Sequence, residues 1–201
     1  MTPLCELALR HRTDKFIRHY YTPIYFLEIP KPLKVKRVLE IGILQGHSLR
    51  MWRDFFPFAE VIGIDRDPTT MMANEDRITT YVADQEKPEQ IVDLLTTIGG
   101  VKFDLIVDDG SHLPELQALT ARTLLPFLAP DGLYSIEDVK RGQNEGEVPV
   151  AKDDPMDIIG HLPPGFDARL FRTGIKSDDA MILIRAKKIM GRPKLSLPEI
   201  N

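Results

Sequence analysis

Residues 38–46 read Val38-Leu39-Glu40-Ile41-Gly42-Ile43-Leu44-Gln45-Gly46, and residues 103–112 read Phe103-Asp104-Leu105-Ile106-Val107-Asp108-Asp109-Gly110-Ser111-His112. In the first stretch an apolar run meets an acid and then glycines. In the second it meets two acids and a histidine. Short apolar runs bounded by such residues read as buried strands. Working outward, 60–64, 78–83 and 133–136 repeat the pattern, ending at Asp65, at Asp84 and at Glu137-Asp138. Helical spacing fills the gaps. Ser48 is a fitting N-cap for 49–56, Asp67-Pro68 opens a short helical turn, and 86–98 stops at Gly99-Gly100. Leu116, Leu119, Leu124 and Leu128 share one further helix, followed by a turn at Pro130-Asp131-Gly132.

Strands alternating with helices predict an α/β, Rossmann-like three-layer sandwich on a mostly parallel sheet. Residues 168–173 and 181–186 read as two late strands around a turn at 174–179, an antiparallel hairpin at the sheet edge. Residues 1–36 form a leader before the first strand, and 37–190 form the main domain. The Gly-, Pro- and charge-rich stretch 140–165 is a lid-like loop, and the breaker-rich 191–201 is a flexible tail.

The chain has 201 residues, 43% hydrophobic and 28% charged, which suits one domain with a sizeable core. Its net charge of −4 argues against a broad nucleic-acid surface, which needs a basic footprint. Cys5 is the sole cysteine and fits a reducing compartment. No run approaches the ~20 apolar residues of a membrane span, and the N-terminus lacks the basic-then-apolar pattern of a signal peptide. These features predict a cytoplasmic protein with no membrane partner, and leave homo-oligomer formation open.

In an open parallel sheet, ligands bind beyond the carboxyl ends of the strands. Gly42 and Gly46 supply the tight turn there. Leu44 stands where a G-x-G-x-x-G fingerprint has its middle glycine, so close approach of a pyrophosphate is disfavoured. The pocket suits an adenosine without phosphates. Asp65 is placed for a ribose diol and Asp84 for the adenine amino group, with Glu40 at a third strand end. Asp108 either faces the cofactor or caps the following loop. Asp109, Glu137 and Asp138 fall at neighbouring strand ends, where three carboxylates repel one another unless protonated or bridged by a cation. Hard oxygen ligands of this kind favour Mg2+. The plainer alternatives are a glycine turn without a ligand, and acids that serve as caps and surface charge.

Glu40-x-Gly42-x-x-x-Gly46, Asp65, Asp84 and the acid-ended fourth strand resemble class I S-adenosylmethionine-dependent methyltransferases over roughly 37–186. Thr13-Asp14-Lys15, Tyr21-Thr22-Pro23-x-Tyr25, Ser48-Leu49-Arg50-Met51-Trp52-Arg53-Asp54, Asp108-Asp109-Gly110-Ser111-His112 and Ile136-Glu137-Asp138 narrow the resemblance. Together they look like the metal-dependent sugar O-methyltransferases of macrolide biosynthesis, the mycinamicin and macrocin type. The resemblance implies S-adenosylmethionine and Mg2+ as cofactors, with the metal on Asp109, Glu137 and Asp138 and His112 as general base. It implies a small-molecule acceptor, a sugar hydroxyl above all. It also implies a leader folded over the cofactor pocket, bringing Thr13 and Tyr21 to the cofactor beside Glu40, Gly42, Gly46, Ser48, Asp65, Asp84 and Asp108. Some relatives carry a further amino-terminal domain, where this chain has a short leader.

Three other functions compete. Leu44 counts against a nicotinamide-dependent oxidoreductase. Nucleobase N-methyltransferases show Asn- or Asp-Pro-Pro-aromatic after the fourth strand, where this chain has Asp109-Gly110-Ser111-His112. A catalytically inert nucleoside-binding protein would have no use for the acids and His112.

Overall fold

The computed structural model describes residues 1–29, 32–73, 75–139, 155–160, 162–173 and 180–187. Among these residues seven strands form one sheet: β1 (Arg37–Ile41), β2 (Glu60–Asp65), β3 (Ile78–Val82), β4 (Phe103–Asp108), β5 (Leu128–Ile136), β6 (Phe166–Arg172) and β7 (Ala180–Ala186). Their order is β3-β2-β1-β4-β5-β7-β6. The first five pair in parallel, with Val38 opposite both Val61 and Leu105. β7 runs antiparallel to both β5 and β6, so the expected C-terminal hairpin is present with β6 at the edge. Its turn, 174–179, lies outside the described residues.

Among the described residues seven α-helices cover the sheet: α1 (Pro3–His11), α2 (Asp14–Ile17), α3 (Tyr21–Glu28), α4 (His47–Phe55), α5 (Pro88–Thr97), α6 (Pro114–Leu124) and α7 (Pro155–Gly160). Successive strand residues point to opposite faces. Val38, Val61 and Val107 therefore pack with Leu4, Tyr25, Leu49 and Trp52 from α1, α3 and α4. Leu39, Ile62 and Ile106 pack on the other face with Ile91, Leu95, Ala121 and Ile158 from α5, α6 and α7. The result is the three-layer sandwich predicted from the sequence.

Local boundaries differ for identifiable reasons. Gly46, at φ +70°, is the cap of α4, so Ser48 lies inside the first turn rather than capping it. Pro126 ends the expected single helix at Leu124, with one 3-10 turn, Leu125–Phe127, completing it. Pro130-Asp131-Gly132 is an irregularity within β5 rather than a turn before it. Phe103 pairs with Leu128 and Leu105 with Leu133, so five residues of β5 pass two of β4. Of the 140–165 loop, 155–160 and 162–165 are described. Its remainder, His161 included, lies outside the described residues, as does the tail 191–201. No helix among the described residues is long and apolar enough to cross a membrane.

Candidate active site

The strand order reverses between β1 and β4, and a crevice opens there at the carboxyl ends, as expected for an open α/β sheet. Backbone bonds align the strand ends across it. The Gly42 amide donates to the Ile64 carbonyl, that of Asp109 to Ile41, and that of Glu137 to Asp108. Two cavities of about 540 Å³ each meet at Gly42, Asp65 and Gly110. One extends past Asp84 and Gln85. The other extends past Thr13, Ser48, Asp109, His112 and Asp138.

Gly42 has φ +92°, and a Cβ there would fall 2.2 Å from the Asp109 carbonyl oxygen. A side chain cannot be accommodated, because the glycine loop and the loop after β4 touch at this point. Asp65 pins the glycine loop: its Oδ2 accepts from the Ile43 amide at 2.9 Å and its Oδ1 from the Asp67 amide at 3.0 Å. Asp84 lines the first cavity and accepts from the Glu86 amide.

Beyond β4 and β5 respectively, His112 and Asp138 adopt left-handed backbone, at φ +54° and +50°. Non-glycine residues adopt it rarely, and such strain clusters at functional sites. One ligand atom each from Asp109, His112 and Asp138 lies within 4.8 Å of the others. His112 Nε2 stands 3.9 Å from Asp138 Oδ2. Its Nδ1 finds no hydrogen-bond partner among the described residues. Burial pushes the Asp138 carboxyl upward, and the Asp109 charge pushes the same way.

Behind this wall lies a buried ion cluster. The Lys15 ammonium is 2.6 Å from Asp109 Oδ2, 2.6 Å from Glu137 Oε2 and 3.2 Å from Glu40 Oε1. Burial alone would lower its pKa, but Asp109, Glu137 and Glu40 together hold it well above the usual lysine value. Tyr25 donates to Glu137 Oε1 at 2.5 Å, and the Trp52 indole donates to Glu40 Oε2 at 3.0 Å.

A scan against protein-family models finds no match. Over 167 residues the chain is 35% identical to the 8-demethyl-8-α-L-rhamnosyl tetracenomycin-C 2'-O-methyltransferase of Streptomyces olivaceus, covering 79% of this chain and 43% of that enzyme. It is 39% identical over 145 residues to the demethylmacrocin O-methyltransferase of Streptomyces fradiae, covering 68% of this chain and 36% of that one. The mycinamycin-pathway methyltransferase MycE, solved with Mg, SAH and mycinamycin VI, superposes with a TM-score of 0.74 at 26% identity. The match covers 96% of this chain and 57% of MycE. In sequence and in fold the chain is similar to class I S-adenosylmethionine-dependent methyltransferases. It spans less than half the length of these curated members of the family.

Several residues expected at the cofactor of such a methyltransferase sit elsewhere. Tyr21 is fully buried beside the acids, where its hydroxyl donates to Asp138 Oδ1 at 2.9 Å and to the Ala180 carbonyl. Glu40 shares the β1 face of Val38, so it points under Trp52 to Lys15 rather than into the crevice. Asp108, fully buried, points to the opposite face and accepts from Gln85 Nε2 at 3.0 Å and from the Tyr134 hydroxyl. Burial pushes its carboxyl up to about 7. Gly46 lies under Met72, whose Sδ would stand 2.2 Å from a Cβ, so packing explains this glycine without a ligand. Glu137 is not among the three clustered ligand atoms; His112 takes its place there, because Lys15 and Tyr25 hold Glu137 behind the cavity.

Gln85 was not singled out in the sequence. It lines the first cavity, accepts from the Ser111 amide at 2.9 Å and donates to Asp108 and Thr120. Lys15 was visible only as part of a polar turn. The signal for it was indirect: acids on three neighbouring strand ends require a buried cation.

Proposed function

We propose that the chain transfers a methyl group from S-adenosylmethionine to a hydroxyl of a glycosylated small molecule, with Mg2+ assistance and His112 as general base. The carrying observation is the pair of cavities joined at Gly42, Asp65 and Gly110, one reaching Asp84 and the other Asp109, His112 and Asp138. Asp65 and Asp84 offer carboxylate acceptors where ribose and adenine would lie. Thr13, from the leader, and Ser48 line the adjoining cavity.

The donor set suits a magnesium ion. Asp109 and Asp138 bring hard oxygens within 4.8 Å of each other. Burial and the neighbouring acids push the Glu40, Glu137 and Asp138 carboxyls upward, and a bound cation would favour their charged forms. Asp109 and Asp138 would hold the ion, which would lower the pKa of an acceptor hydroxyl. S-adenosylmethionine would supply an already activated methyl, leaving orientation and exclusion of water to the protein. His112 is a softer ligand than the carboxylates. Its imidazole takes the hydroxyl proton, and the nearby Asp138 carboxylate favours the resulting imidazolium.

The test is transfer of labelled methyl from S-adenosylmethionine to a panel of glycosylated acceptors. Label is expected on an acceptor hydroxyl, with turnover lost in chelator and restored by Mg2+. His112→Ala should lose about 100-fold in rate at unchanged cofactor affinity. Undiminished turnover in chelator would remove the metal, and full rate in His112→Ala would remove the base.

A further inference from the structure

Lysine is almost never fully buried unless paired. Lys15 is 1% exposed, and its three partners come from three different strand ends, β1, β4 and the residue after β5. The residue reaches them from outside the sheet, carried on the four-residue helix α2. Two of its contacts, at 2.6 Å each, bridge Asp109 and Glu137. A divalent ion seated on Asp109 competes with Lys15 for Oδ2, the oxygen the ammonium holds at 2.6 Å. An ammonium at full contact with Asp109 Oδ2 also repels a dication approaching from the cavity side of Asp109.

Resting on the magnesium-assisted reading above, we propose that Lys15 is a built-in competitor of the divalent ion. Its ammonium bridges Asp109 and Glu137, and it yields the Asp109 Oδ2 contact to an incoming ion. It acts as a positioning residue: it keeps buried carboxylates from driving one another apart, and it sets the affinity of the site. An ion that takes Asp109 Oδ2 does so in exchange for an ammonium–carboxylate contact. The exchange also links ion binding to the leader, because Thr13, the cap of α2, forms part of the cavity wall.

The competitor role and a scaffolding role predict opposite signs. Titration calorimetry of Mg2+, and separately of Mn2+, into the full chain and into Lys15→Met distinguishes them. The variant is expected to bind the ion at least ~10-fold more tightly, having lost a positive charge in contact with the site. Lys15→Arg keeps the charge and should bind no more tightly than the parent. Unchanged or weaker binding by Lys15→Met overturns the competitor role while leaving the metal site standing. Absence of binding to parent and variant alike at millimolar ion overturns the metal reading itself. Should Lys15→Met fail to fold, Lys15→Met/Glu40→Gln removes an acid together with the ammonium. It is expected to bind more tightly than Glu40→Gln alone, and equal affinity overturns the proposal.

Discussion

Gln85 Oε1 accepts a 2.9 Å hydrogen bond from the amide of Ser111. This one contact joins the loop after β3, which lines the cavity past Asp84, to the loop after β4, which carries Asp109 and His112. The amide of the same side chain donates to Asp108 and Thr120, so its orientation is fixed from behind. Occupancy of one cavity and geometry of the other therefore share a side chain. Gln85→Ala should lower methyl transfer by at least ~10-fold, because small displacements of reacting groups are costly. Steady-state kinetics would show the loss in kcat as well as in KM for the cofactor.

Gly42 provides a second junction between the same loops. Gly42→Ala places a methyl 2.2 Å from the Asp109 carbonyl, at a backbone φ of +92° that alanine resists. The backbone conformation alone costs roughly 1–3 kcal/mol, and the clash adds to it. Urea denaturation should show a lowered midpoint, and the folded fraction should bind cofactor poorly.

The strand-end logic was legible in the sequence because it rests on short-range signals. Gly42, Asp65, Asp109 and His112 each follow an apolar run, and the structure gathers them at one crevice. What was not legible depends on side-chain direction and on partners distant along the chain. Glu40 and Asp108 sit at the same level as the crevice but point to opposite faces of the sheet. Whether a strand's last acid faces the ligand or a helix layer depends on the residue where the strand ends, and sequence patterns locate that poorly. Lys15 and Glu137 are separated by 122 positions. Nothing in the polar turn Thr13-Asp14-Lys15 distinguishes a solvated lysine from a buried one. Pro130-Asp131-Gly132 has strong turn composition, yet the pairing of Leu128 with Phe103 keeps it within β5.

Asp108 makes stability depend on pH in a defined direction. Its carboxyl is pushed from 3.8 up to about 7 by burial, so the folded chain binds more protons than the unfolded chain between those values. The contribution is fully present below about pH 4 and is lost as pH rises through about 7. Its size is on the order of 2–4 kcal/mol. Asp108→Asn stays neutral throughout. Thermal unfolding from pH 5 to 8 should therefore show a shallower loss of stability with rising pH in the variant than in the parent.

Tyr25 contributes through one hydroxyl, which serves both Ser135 at 2.7 Å and Glu137 at 2.5 Å. Tyr25→Phe leaves a buried carboxylate oxygen without its donor, at a cost of about 1–3 kcal/mol. Chemical denaturation would register this. The ring still packs edge-on against Trp52, so the fold should survive.

The proposed reaction requires one crevice to seat S-adenosylmethionine. Calorimetric titration of that molecule into the full chain and into Asp65→Ala addresses it most directly. Saturable one-to-one binding by the parent, weakened at least ~10-fold in the variant by loss of a charge-assisted partner, is the predicted result. A folded parent that takes up no cofactor, or an Asp65→Ala variant that binds it equally well, would contradict the account.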